Sequence, residues 1–262
     1  MGANPGKRVR IAGLGLALGG VWHCNLNLTL CREISADRKN VKLQKKLRLL
    51  PASFFCYENL GLVMNTNFLY DAAIAFEVLL RQEYHIVLGR RQQIWDVVLQ
   101  FHPDNFYHLA GLQKLSSAYG FQRMRYAQVF REILKANISD ETICADAMFP
   151  AIIPRMCALS EMESILDNPK TLFFGYDRKK AVINSNITAD YVAKGSIAGQ
   201  PVILAFFVRD ASVGKYCVKS VFPMENYDYS KGQIQYTLLL SEKRNLKSNE
   251  TVQLFSHHKY TV

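Results

Sequence analysis

Residues 101–115, FHPDNFYHLAGLQKL, contain the side chain best suited to proton transfer, His108. A free imidazole has a pKa near ~6.5, so it exchanges protons at neutral pH. Asp104 lies four residues earlier, within reach of the ring if both belong to one helix. Gly111 leaves room beside His108 for another backbone or a ligand. A lone histidine at the edge of an apolar helix face more often has a structural role, so the residues alone leave both interpretations open.

The pattern around His108 predicts a helix that continues to residue 115. Apolar residues recur every three positions and fill one side of it: Phe106, Leu109, Leu112 and Leu115. Helix-start chemistry is available at three neighbouring positions: Pro103, Asp104 and Asn105.

Other segments upstream of residue 170 also have helical patterns. They predict helices over residues 67–82 and 123–136, one from Ser139 that ends before Pro150, and one over residues 155–166 after Pro154. Before the His108 helix, residues 84–88 and 94–101 are rich in strand-forming residues. The intervening GRRQQ favours a hairpin.

Past residue 170 the hydrophobic period changes to that of strands. Short aromatic or β-branched runs, separated by turn residues, occupy 171–176, 181–186, 190–194, 202–209, 216–222, 235–242 and 252–255. This pattern predicts an antiparallel meander. Helices followed by a sheet indicate an α+β fold.

The string NFYHLAGL at residues 105–112 resembles the signature of phage-borne nucleases grouped with barnase, EndoU, the tRNA-cutting colicins and RelE. It is most similar to the fourth phage subgroup. Ala189-Asp190-Tyr191 resembles a short strand of that subgroup. Residues 219–222, KSVF, with Tyr229 and Gln233, resemble its S-F…Y-x-x-x-Q stretch, although Val221 replaces the usual aromatic residue. The resemblance covers about residues 64–255, and it implies RNA cleavage and a curved antiparallel sheet after the helices.

Metal-independent RNA cleavage needs a base for the 2′-hydroxyl proton, an acid for the leaving 5′-oxygen, and a cation or N–H donor for the phosphorane. His108 is the candidate acid or base, and the resemblance adds Lys219, Ser220 and Tyr229 to the catalytic set. Lys219 and Lys194 would bind phosphate, or would lie on a solvated strand edge. Ser220 would donate to a phosphate oxygen or bond to its own turn.

The remaining candidates would contact the substrate. Tyr229 and Gln233 would stack on and hydrogen-bond a base, or would close a loop over the sheet. Asp190 would orient His108 or a lysine, or would cap a turn. The sequence shows neither a carboxylate cluster with metal-site spacing nor a phosphate-binding loop, so we expect no metal and no cofactor.

The positive charge of the chain is unevenly distributed. The formal net charge is +10, yet residues 1–63 hold ten Lys and Arg against three acids, which leaves only +3 for residues 64–262. An RNA groove must therefore come from local clustering. The six cysteines have neither CxxC nor zinc-ligand spacing, which indicates free thiols in a reducing compartment. We therefore expect a cytoplasmic location.

Residues 1–63 have no sustained helical or strand period, and we expect them to be an extension outside a nuclease-like domain of residues 64–262. Basic residues before an apolar run at 11–22 are typical of a secretory signal, although the run is too short to span a bilayer. Two interpretations stay open here. One is an extension outside the fold that results from an upstream start codon chosen in error, and the other is a genuine segment for export or for a membrane surface.

The sequence favours a toxin-like or effector-like RNA endonuclease of phage or mobile-element type, with RNA as substrate and an immunity or antitoxin protein as a further partner. The rival is a catalytically inactive RNA- or protein-binding module of the same fold, which the mild charge of residues 64–262 favours. A third hypothesis, an exported effector, depends on residues 11–22. A His108 in a cleft with Lys219, Ser220 or Tyr229 would support the enzyme. A His108 in apolar core would support the binder, and the oligomeric state is left open.

Overall fold

A computed structural model describes residues 67–116, 119–181, 185–197, 200–258 and 260. The predictions for residues 1–63, including the apolar run at 11–22, lie outside these residues. The first described element is helix α1, Phe68–Leu79, whose N-cap Asn67 accepts a hydrogen bond from the backbone of Tyr70. It confirms the helix predicted over 67–82 and buries one apolar face.

The predicted hairpin follows α1. Strands β1, Gln82–Arg90, and β2, Gln93–Gln100, pair antiparallel along their whole length. The turn is shorter than the predicted GRRQQ loop. It consists of Arg91 and Gln92, which both have positive φ, as a two-residue hairpin turn of matching twist requires.

Five helices lie between the hairpin and the remaining strands. They are α2 (Asn105–Leu109), α3 (Tyr126–Leu134), α4 (Asp140–Ile143), α5 (Phe149–Ser160) and α6 (Met162–Asp167). Ser139 begins α4 as predicted, and it forms a capping box with Thr142. The single helix predicted over 155–166 was wrong in its start and in its continuity, because Glu161 separates α5 from α6. Helix α5 begins at Phe149 and continues through Pro154, because the burial of its apolar face outweighs the hydrogen bond that proline removes.

Six strands complete the sheet: β3 (Leu172–Gly175), β4 (Tyr191–Gly195), β5 (Ile203–Arg209), β6 (Tyr216–Pro223), β7 (Ile234–Asn245) and β8 (Thr251–Ser256). The strand predicted over 181–186 does not form at Ser185 or Asn186, and residues 182–184 lie outside the described residues. The fold is α+β, as predicted.

The predicted antiparallel meander is confirmed for β3 to β6, which pair in chain order. The curved sheet that the resemblance implied is in fact closed. The strand order is β1-β2-β6-β5-β4-β3-β7, and β7 pairs again with β1, so seven strands form a barrel with β8 attached to β7. The N-terminal hairpin supplies the strands that close it. The seam between β2 and β6 is parallel and contains a single residue pair, Leu99 with Tyr216.

A charged cluster stabilises this short seam. Glu83 on β1 lies opposite Gln100 on β2 and Arg244 on β7, and its buried carboxylate accepts hydrogen bonds from both side chains. Lys215, next to the seam pair on β6, donates to the same carboxylate at 2.7 Å. Burial alone would raise the pKa of Glu83, but the hydrogen bond and charge of Lys215 and the charge of Arg244 outweigh it and lower the pKa.

Among the described residues, no helix has both the length and the apolar character needed to cross a membrane.

We predict that Glu83→Gln lowers the free energy of unfolding by about 1–3 kcal/mol at pH 7, because two cations lose their charged acceptor. A lowered pKa in the folded state means that the stabilisation is present at neutral pH and is lost as the pH falls below about 4. The difference between wild type and variant should therefore shrink in acid. Urea unfolding at a series of pH values measures both effects.

Glu77→Gln is the matched control, because its carboxylate forms an exposed ion pair with Arg81, just past the end of α1, and such pairs contribute about 0.3–0.5 kcal/mol. Equal losses in the two variants would show that the Glu83 cluster has no special role at the seam.

Candidate active site

The segment around His108 is less regular than predicted. Helix α2 contains only five residues, Asn105–Leu109, and is followed by Gly111 at φ 85 and a 3₁₀ turn over Leu112–Lys114. The predicted continuous helix is thus wrong, because Gly111 adopts a left-handed conformation that ends it. The predicted apolar side is confirmed, since Phe106, Leu109, Leu112 and Leu115 are all buried.

His108 lies at the surface. Its ring is 4.8 Å from the ring of Tyr126 and nearly perpendicular to it, while Tyr126 stacks on the buried Tyr107 at 4.4 Å. The imidazole is therefore held against an aromatic pair and not inside the core. Partial loss of water there, and then the nearby charge of Lys219, lower the pKa of His108.

Asp104 does not reach His108, contrary to the expectation from sequence. Its carboxylate accepts a hydrogen bond from the backbone N–H of Ala127 at 2.9 Å, at the start of α3. Because Asp104 lies in the turn before α2, it joins the two helices, and the histidine is left without that carboxylate partner.

Arg155, on α5, is the central residue that sequence reasoning missed. One terminal nitrogen donates to the backbone oxygen of His108 at 3.3 Å, and the other donates to the Ser220 hydroxyl at 3.0 Å. The guanidinium carbon is 5.5 Å from the centre of the Phe222 ring. A signal was present, because Arg155 is the only charged residue in the apolar helix FPAIIPRMCALS.

Gly111 allows α5 to come this close. A Cβ atom at Gly111 would lie 3.0 Å from a methyl carbon of Ile152 and 3.1 Å from Cδ of Arg155. We expected room there for a backbone or a ligand, and the neighbour is in fact a helix side chain. The left-handed backbone and the close approach both require glycine at this position.

Strand β6 contributes Lys219 and Ser220 to the candidate site at an irregularity in its pairing with β5. Phe206 pairs with Ser220 and Phe207 pairs with Val218, so Lys219 is the extra residue of a β-bulge. Such bulges redirect side chains and are common next to active sites. Lys219 is exposed near His108, whereas Ser220 is buried and held by Arg155.

Tyr229 lies near the guanidinium of Arg155, and the two residues line the same cleft. Its ring is 5.5 Å from Phe222 and 5.7 Å from Phe206, within a second hydrophobic cluster on the sheet. Burial raises the pKa of Tyr229, and the nearby charge of Arg155 offsets part of that rise. Arg155 therefore contacts the backbone of His108 and the hydroxyl of Ser220 and lies near Tyr229, while Lys219 lies near His108.

Residues 69–257 match the sequence model of the family described as phage-Barnase-EndoU-ColicinE5/D-RelE like nuclease 4. The chain belongs to this nuclease family. The match confirms the resemblance seen in the sequence, and it covers the whole α+β body with its candidate active site. Searches among curated proteins and among solved structures found no match.

Three residues that the family resemblance indicated for substrate contacts have other partners in this structure. Lys194 donates to Asp228 at 2.6 Å and to Ser230 at 3.3 Å. Gln233 binds the backbone of Asp177 through both ends of its amide, at 2.8 and 2.9 Å.

Asp190 also contacts backbone. Its carboxylate accepts a hydrogen bond from the N–H of Arg209 at 2.7 Å, between neighbouring strands. In the part of the chain that the structure describes, no group of three or more His, Cys, Asp or Glu side chains is arranged to hold a metal ion.

We predict that Gly111→Ala destabilises the protein by roughly 1 kcal/mol through its left-handed backbone and by a further 1–3 kcal/mol through collision with Ile152 and Arg155. Gly120→Ala is the matched control, since Gly120 also has positive φ, at 68, but nothing lies within 4 Å of the added carbon. Chemical denaturation of both variants separates backbone strain from collision. Equal destabilisation would show that α5 does not depend on Gly111.

Proposed function

We propose that this family member is a metal-independent endoribonuclease that cleaves RNA by attack of the 2′-hydroxyl on the adjacent phosphate. The observation that carries the proposal is the position of Arg155, whose guanidinium bridges the backbone oxygen of the exposed His108 and the Ser220 hydroxyl. A phosphate seated against this cation would lie beside a titratable imidazole, which is the arrangement that internal attack requires.

His108 is the proposed general base. Its pKa is lowered from the ordinary value, so the ring is mostly neutral at pH 7 and its free nitrogen can accept the 2′-hydroxyl proton. The oxygen then attacks phosphorus as the bond to the 5′-oxygen breaks. The products are a 2′,3′-cyclic phosphate and a free 5′-hydroxyl.

Arg155 and Lys219 are the proposed groups for the charged phosphorane. A guanidinium has five N–H donors, and two hydrogen bonds fix that of Arg155 in place, so the remaining donors are oriented before the substrate arrives. Lys219 is exposed at the bulge on the same side as His108 and supplies a second positive charge. Ser220 fixes the guanidinium.

Tyr229 is the proposed acid for the leaving 5′-oxygen. Its raised pKa keeps the hydroxyl protonated at neutral pH, and it lies near Arg155, where the departing oxygen would form. The groups around Arg155 are thus cations, hydroxyls and an imidazole. These groups suit an internal nucleophile, and the need for a 2′-hydroxyl makes RNA the substrate rather than DNA.

We further propose a toxin or effector role against cytoplasmic RNA, with an immunity or antitoxin protein that covers the site. The support is the phage-type nuclease family to which the chain belongs. Induced expression in bacteria tests it. Wild type should arrest growth and His108→Gln should not.

For the purified full-length protein, we predict RNA cleavage that persists in EDTA and falls about a hundredfold or more in His108→Ala, because positioned acid–base groups contribute ~10²–10⁴. His108→Gln should be nearly as damaging, since the amide cannot titrate. The unfolding transition should barely change, because the ring is exposed. Rates on a labelled oligonucleotide, with melting curves beside them, measure both properties.

An oligonucleotide with 2′-deoxyribose at the cleaved position is the substrate control and should stay intact. If the folded His108→Gln variant cleaves RNA at the wild-type rate, His108 is not the general base. RNA binding without any cleavage would instead identify an inactive binding module.

We predict that Lys219→Gln shifts the acidic limb of the pH–rate profile to higher pH. Lys219 disfavours the protonated imidazole, so its removal raises the pKa of His108 and delays formation of the neutral base. Lys247→Gln, in the β7–β8 turn, is the control and should leave the limb in place. If the acidic limb of the Lys219→Gln profile stays at the wild-type pH, the group that titrates in that limb is not His108.

A further inference from the structure

A cleft of about 320 Å³ opens on the side of Arg155 that faces Tyr229, and we name it the Tyr227 cleft. Its lining includes Lys114, Arg155, Phe222, Glu225, Tyr227 and Tyr229. The volume is at the lower end of the roughly 300–1,000 Å³ typical of small-molecule sites. It suits one nucleotide rather than a longer segment of a strand.

The charges of the Tyr227 cleft favour an anion. Lys114 and Arg155 are two cations in its wall, and Glu225 is the single carboxylate. Burial is the main cause that lowers the pKa of Lys114, and the nearby charge of Arg155 lowers it further, while Glu225 raises it. The two cations therefore lie close together. A bound phosphate would relieve the repulsion between the two cations.

Tyr227 provides a surface for stacking. Its residue exposure is 52 %, so its ring is available to a ligand. The neighbouring Phe222 is already engaged, since it stacks on Phe206 and lies under Arg155. An exposed aromatic ring beside cations is typical of sites that bind an unpaired base.

The segment that carries Tyr227 is fixed to the sheet. Asp228 accepts from Lys194 on β4 at 2.6 Å and also from the backbone and hydroxyl of Ser230. This ion pair positions the tyrosines on either side of Asp228. It also gives Lys194 a role in the site without contact to RNA.

Glu225 indicates which base the cleft accepts. An ionised carboxylate is an acceptor only, with two oxygens side by side. Guanine presents two adjacent donors, its N1–H and its 2-amino group, whereas adenine, cytosine and uracil do not present two adjacent donors on that edge. A carboxylate therefore makes two parallel hydrogen bonds with guanine alone.

We propose that the Tyr227 cleft binds a guanine nucleotide next to the scissile phosphate, with the base stacked on Tyr227 and its edge bonded to Glu225. This inference rests on the proposed nuclease function, because Arg155 is shared by the cleft and the candidate active site. It assigns the enzyme a preference for cleavage beside guanosine.

The test is calorimetric titration of the full-length protein with the 3′-monophosphates of guanosine, adenosine, cytidine and uridine, none of which can be cleaved. We expect guanosine 3′-monophosphate to bind at least tenfold more tightly than the other three. Glu225→Gln should remove most of that preference, because the amide keeps only one acceptor oxygen. Tyr227→Ala should weaken all four nucleotides roughly tenfold by removing the stacking surface.

Glu141→Gln is the matched control, since Glu141 is exposed in the first turn of α4 and does not line the cleft. It should leave all four affinities unchanged. Equal affinities for the four nucleotides, or a preference that survives Glu225→Gln, would overturn the guanine assignment.

The outcomes also separate this inference from the nuclease proposal. Cleavage of RNA without binding of any mononucleotide would overturn the cleft assignment alone. Selective guanylate binding that depends on Glu225, without RNA cleavage, would support the cleft and overturn the nuclease proposal.

Discussion

The hydrogen bonds of Arg155 to α2 and β6 are the contacts on which the candidate site depends. They join the backbone of His108 to the hydroxyl of Ser220, so the chemical groups from a helix and from a strand share one fixed cation. This geometry needs α5 to pack closely on α2, which the absence of a side chain at Gly111 permits. One glycine therefore determines the spacing of three elements, and its conformation also ends the helix that carries the histidine.

The barrel supplies the other fixed side of the site. Strand β6 pairs with β5 along its length but meets β2 at a single residue pair, where the Glu83 cluster joins three strands. Closure holds β6 against both neighbours, and the bulge at Lys219 then turns two consecutive residues toward the helices.

Sequence reasoning predicted the parts of this fold that depend on local physics. The face of α1, the capping box at Ser139 and six of the seven C-terminal strand runs follow from residue periods and caps, which act within one or two turns. Barrel closure could not be predicted in this way, since strand periods do not specify which strands pair. Arg155 was missed for a similar reason, because its importance arises from groups 47 and 65 residues away in the chain.

The family resemblance selected residues of two kinds that a sequence cannot distinguish. His108 and Lys219 have exposed groups near one another, whereas Gln233 and Asp190 bind backbone and hold strands together. A family motif contains residues that carry chemical groups and residues that hold strands in place, since a site fails when either is lost.

In the proposed mechanism, the electrostatic relation of Lys219 to His108 links phosphate binding to proton transfer. In the free protein the lysine helps keep the imidazole neutral, which is the form that accepts a proton. A phosphate bound between them would bring negative charge close to the ring and offset the lysine. The basicity of the imidazole would then rise at the moment when the 2′-hydroxyl lies beside it. Lys219 would thus favour the neutral imidazole before the phosphate binds. Once the phosphate offsets its charge, Lys219 would no longer disfavour proton transfer to His108.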